Sequence, residues 1–108
     1  MAEEKKKEFE VIFAIVNNGF ADQVMLAAKE AGAKGGTIIR ARGSSDIGVD
    51  KKYGLTITPE KELLMILTKV SSKDKIMDAI YKADLSLETA NRGIVFSLPV
   101  DSVVGLKY

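Results

Sequence analysis

The sequence predicts an α+β domain in which four antiparallel strands form one sheet and two helices pack on one face of it. Three observations carry this. Four runs rich in β-branched and aromatic residues alternate with two helical stripes in the order β-α-β-β-α-β. At 108 residues the chain is one domain, near the lower limit of what builds its own core. Its hydrophobic fraction of 46% and charged fraction of 29% are those of an ordinary globular protein.

Segment 1–8, Met1-Ala2-Glu3-Glu4-Lys5-Lys6-Lys7-Glu8, carries mixed charge with no apolar stretch behind it. It lacks the pattern of a secretory signal and is expected to be a flexible tail ahead of a single domain over 9–108. The first strand, Phe9 to Asn17, is apolar throughout Val11 to Val16, as befits a strand covered on both faces. Asn17-Asn18-Gly19 breaks it and offers an asparagine as cap for the next helix. There, Phe20, Val24, Ala27, Ala28 and Ala31 form one stripe, with Asp22 in the first turn and Lys29 in the last, as the helix dipole favours. Gly32 is placed to close that helix.

The second strand, Thr37 to Ala41, is entered through Gly35-Gly36. The third spans Lys61 to Val70, begun by Pro59 and ended by Ser71-Ser72. Ser71 with Asp74 resembles a capping box for a helix from Ser72 to about Ala83, whose Ile76, Met77, Ile80 and Ala83 share a side. The last strand runs from Arg92 to Val100, and its Pro99 belongs at an edge, an end or a bulge.

This order is the ferredoxin-like βαββαβ arrangement, a four-stranded antiparallel sheet with two helices on one face. By this order the other face has no cover of its own, although Val11, Phe13, Ile15 or their neighbours, with Leu63, Met65 and Leu67, would lie on it. An apolar area of that size calls for assembly, so a homo-oligomer closed by rotational symmetry is expected.

The composition narrows the function classes. The chain has no histidine and no cysteine, which removes the commonest general base near neutral pH, thiol nucleophiles and soft metal sites. We assign no catalytic and no metal-ligating residue and expect a protein that is not an enzyme. A net charge of +1 gives no broad basic surface for nucleic acid. No apolar run approaches the roughly 20 residues of a membrane span. A cytoplasmic location is expected. The long polar stretch from Gly43 to Thr58 shows no helix or strand pattern of its own, and loops of that length in small domains are usually functional or disordered.

Ala31-Gly32-Ala33-Lys34-Gly35-Gly36-Thr37, Gly93-Ile94-Val95-Phe96-Ser97-Leu98-Pro99-Val100 and Val103-Val104-Gly105-Leu106, set in this frame, carry a family likeness. The chain resembles the PII nitrogen-regulatory signal-transduction proteins, as a PII-like subgroup with a shortened T-loop. The resemblance implies a compact homotrimer with sheets packed inward and three intersubunit clefts that bind ATP, ADP, AMP or a similar small anionic ligand. It also implies that loop 43–58 docks on a target enzyme or membrane transporter. Within the loop the apolar Ile47, Val49 and Tyr53 are the candidate docking anchors, the plain alternative being a disordered connector of no consequence. Gly35, Gly36 and Thr37 match the family where strand backbone passes the adenine, the plain alternative for Gly35-Gly36 being a positive-φ turn between helix and strand.

Gly93 matches a glycine of the phosphate-binding turn before the last strand. Where the family reads Gly-Asp-Gly-Lys, this chain reads Asn91-Arg92-Gly93-Ile94. Arg92 is thus the candidate phosphate cation, its plain alternative being a solvated charge at a strand entrance. Family arginines near the C-terminus fall on Gly105 and Lys107, and only Lys107 keeps a charge. Arg40 and Arg42 share one face of the second strand, and Arg42 beside Gly43 is the candidate at the loop root. The alternative reading is a metal- or metabolite-binding trimer of similar fold, of the CutA type.

Overall fold

The computed structural model describes residues 4–6, 8–43, 49–50, 55–56, 60–83 and 93–106. Its elements are β1 (Glu4–Lys6), β2 (Phe9–Asn17), α1 (Ala21–Glu30), β3 (Thr37–Arg42), β4 (Val49–Asp50), β5 (Leu55–Thr56), β6 (Glu60–Lys69), α2 (Val70–Ala83), β7 (Ile94–Pro99) and β8 (Ser102–Val104). Four of the strands form one antiparallel sheet in the order β3-β6-β2-β7, and both helices lie on one face of it, as the pattern predicted.

Register explains which residues enter the core. Ile12 pairs with Ile66, Ala14 with Leu64 and Val16 with Glu62. Alternate side chains of a strand share a face. Ile12, Ala14, Val16, Leu64 and Ile66 therefore meet Val24, Met25 and Ala28 of α1 and Ile76 and Ile80 of α2 in one buried cluster. The odd-numbered neighbours on β2 and β6 point the other way.

Helix α1 ends as Gly32 predicts. Gly32 has φ +120°, its N–H donates to the Lys29 carbonyl at 3.0 Å, and the Ala33 N–H reaches the Ala28 carbonyl at 2.9 Å. These two bonds form a Schellman motif. The start of α1 differs from expectation: neither asparagine caps it. Glu62 of β6 does so, its Oε1 accepting from the Gly19 N–H at 2.7 Å and the Ala21 N–H at 3.3 Å. Asn17 instead accepts from Lys61 Nζ at 2.5 Å. A carboxylate at a helix N-terminus also meets the positive end of the dipole.

Three other local readings change. Helix α2 starts at Val70, directly after β6, so Ser71 lies inside it and is no capping-box residue. Segment 1–8, expected to be a flexible tail, contains β1, which pairs with β8 in a separate two-stranded sheet. The stretch after Gly43, read as patternless, contains β4 and β5, where Val49 pairs with Thr56 and Asp50 with Leu55. Pro99 sits where its missing N–H costs least, at the end of edge strand β7.

Candidate functional site

The sheet face away from the helices is broad and apolar, and no helix among the described residues packs on it. Across it run the rows Thr37–Met65–Phe13–Phe96 and Ile39–Leu63–Ile15–Ile94, with Leu67, Val11 and Leu98 in line beyond them. The Phe13 and Phe96 rings stack with centroids 5.4 Å apart. Exposure here rises from the half-buried centre of β2 and β6 to 49% at Leu98 and 58% at Ile94 on the β7 edge.

At the start of β3 this face runs into a groove of about 730 Å³. Its floor is Val11, Met65 and Leu67. One wall is Lys34 with Gly35, Gly36 and Thr37, and the other is Val100, Ser102 to Val104 and Leu106. Gly35-Gly36 is not a positive-φ turn, since neither glycine has left-handed backbone. Gly36 has a different requirement: a β-carbon there would lie 2.7 Å from Met25 Cε, 2.9 Å from Ile66 Cγ1 and 3.0 Å from the Met65 carbonyl oxygen. The residue is a glycine because strand and helix close on it from the core side, while its other side opens into the groove. Gly36→Ala is expected to cost about 1–3 kcal/mol, the penalty of overpacking. Denaturant titration checks this, and unchanged stability would mean that Met25 and Ile66 yield freely.

Arg40 and Arg42 lie across from Glu62 and Glu60 on the helix side of edge strand β3. They line a second cleft of about 370 Å³ with Asn18, Ala41, Glu60 and Lys61, where the sheet runs past the start of α1. Arg42 thus stands at the loop root, as its position implied, but at the opposite end of β3 from Gly35 and Gly36.

Gly93 is buried at the entrance to β7. Strand β7 is the far edge of the sheet from β3, three strand spacings or roughly 14 Å away. The chain therefore does not bring Gly93 together with Gly35, Gly36 and Thr37. Arg92, Lys107, Ile47 and Tyr53 lie outside the described residues, and Val49 is placed only as a member of β4. Gly105 has φ +95°, a turn conformation that disfavours side chains with a β-carbon.

The family model of the nitrogen regulatory protein P-II matches residues 9–108. The chain belongs to the P-II family. Among solved structures, that of Arabidopsis thaliana PII bound to citrate matches with a TM-score of 0.69 at 22% identity, covering 88% of this chain and 79% of that one. The likeness shows the shared fold. A search of curated proteins found no match. P-II proteins are regulators, which agrees with the expectation of a non-enzyme. No helix among the described residues is long and apolar enough to cross a membrane. No group of three or more His, Cys, Asp or Glu among them could hold a metal ion.

Sequence reasoning missed the groove wall from Val100 to Leu106, although Val103 and Leu106 had carried part of the family likeness. An apolar pair following the edge-strand Pro99 was the available signal. It also missed Glu62, because a cap donated from another strand leaves no local trace.

Proposed function

We propose that this P-II protein is a cytoplasmic homotrimer that senses a small anionic ligand, an adenine nucleotide first among candidates, at the seams between its copies. Ligand binding repositions loop 43–58, which then docks on a target enzyme or transporter. The uncovered apolar sheet face carries the reading: Phe13, Ile15, Leu63 and Met65 need a cover that the described chain does not supply. Covering it with copies sets the β3 edge of one, with Gly35, Gly36, Thr37 and Arg42, against the β7 edge of another, with Gly93 and, by sequence, Arg92 and Lys107.

The groove beside Gly35 and Gly36 suits a flat apolar ring, and Lys34 at its rim suits an attached anion. The citrate named in the Arabidopsis PII structure makes a polycarboxylate the second ligand class to test. Binding shifts the loop between pre-existing forms rather than creating a new one.

Isothermal titration with ATP, ADP, AMP and citrate tests the sensing step. Heat is expected with at least one nucleotide, and silence with all four ligands would remove it. Arg92→Ala is expected to weaken nucleotide binding by about 1.5–3 kcal/mol, the value of a hydrogen bond to a charged group. Unchanged affinity would return Arg92 to the role of a solvated charge.

A further inference from the structure

The family match begins at residue 9, so β1 lies ahead of the matched region. It nevertheless pairs with the chain's far end: Glu4 with Val104, Lys5 with Val103 and Lys6 with Ser102. These partners are the residues that wall the groove opposite Gly35, Gly36 and Thr37. Two further contacts fix where that wall begins and turns. The Val100 N–H donates to the Phe9 carbonyl at 3.2 Å, and Gly105 turns the chain with φ +95°.

We propose that β1 is a strap that holds β8 in place, so that the N-terminal segment of this chain governs the shape of the groove. A two-stranded ribbon standing apart from the main sheet is marginal in water. It should therefore open locally with a smaller free energy than β2 or β6, whose pairing continues on both sides. The groove then has two states. With β1 paired, β8 stands as a wall beside Met65 and Leu67. With β1 released, segment 101–106 loses its ladder to β1, and the groove loses the support of one side. Anything that favours either end state, a groove ligand or a partner for segment 1–8, shifts the other by the same free energy. The proposal concerns the groove itself and stands whichever ligand the groove takes.

The test uses the full chain with Lys5→Pro, which removes a backbone N–H and fixes φ in the middle of β1, beside Lys5→Ala, which leaves the backbone able to pair. Two readouts are followed: hydrogen exchange of the Ser102 to Val104 amides, and the methyl resonances of Met65 and Met77. In Lys5→Pro, exchange at Ser102 to Val104 is expected to quicken by at least about tenfold, since a local opening there no longer has to break β1. The Met65 methyl, which lines the groove, should shift, while Met77, packed against the core from α2, stays put as the control for an intact fold. Lys5→Ala should behave as the parent protein does. Unchanged exchange in Lys5→Pro would show that β1 does not hold β8. Faster exchange with an unmoved Met65 resonance would show that the pairing does not govern the groove. Either result overturns the strap, and neither bears on whether the chains assemble or bind nucleotide.

Discussion

Phe13→Lys is expected to split the proposed trimer into single, folded chains. Phe13 lies at the centre of the uncovered sheet face, flanked by Met65 on β6 and stacked on Phe96 of β7. Within one chain the substitution removes an aromatic pair worth about 0.5–1.5 kcal/mol and leaves an ammonium that can reach water. In the proposed assembly the same ammonium would be sealed between copies in an apolar layer with no counter-ion. An uncompensated buried charge costs about 3–5 kcal/mol, and a symmetric particle carries one per copy. Stability of the chain therefore changes little while assembly is lost. Sedimentation velocity with far-UV circular dichroism separates the two effects, and a variant that still assembles would mean that Phe13 is not in the interface.

Leu64 is one residue along β6 from the open-face Leu63, yet its substitution should act differently. Leu64 is fully buried beneath the helices, with Ala14 and Ile38 as its cross-strand neighbours. Leu64→Ala is expected to cost about 2–5 kcal/mol from lost transfer energy and the cavity left behind. That is a large share of the 5–15 kcal/mol typical of a domain. The melting temperature should fall by roughly 10 °C or more, at every protein concentration, because the loss lies inside each chain. Thermal unfolding measured over a range of concentrations checks this. A drop that vanishes at high concentration would place Leu64 in the interface and invert the assignment of the two faces.

That Leu63 and Leu64 have opposite roles shows how far the sequence alone could be read. Continuous apolar runs announced strands buried on both faces, and the element order gave the sheet and the side on which the helices sit. Such runs carry no alternation, so only the observed register shows which neighbour enters the core. Elements stabilised by distant partners were hidden for a related reason. Strand β1 is charged and has no strand pattern, and its order comes from pairing with β8 almost the whole chain away. The α1 cap comes from Glu62, 41 residues beyond Ala21.

For the candidate site, the residue types were legible but their grouping was not. Gly35, Gly36 and Thr37 and the strand-entry Gly93 stood out by sequence. That they occupy opposite edges of one sheet is a property of the strand order, and it is what makes the proposed pocket a property of two copies. Gly36 also carries two demands at once: the core side requires a glycine for packing, and the groove side is the one a ligand could use.

The number of chains per particle tests the covered-face reading most directly. Sedimentation equilibrium or native mass spectrometry at micromolar concentration should return three copies. A stable single chain under those conditions, with Phe13 and Met65 open to solvent or sealed by residues of the same chain, would leave the seams, and the ligand pockets placed along them, without a basis.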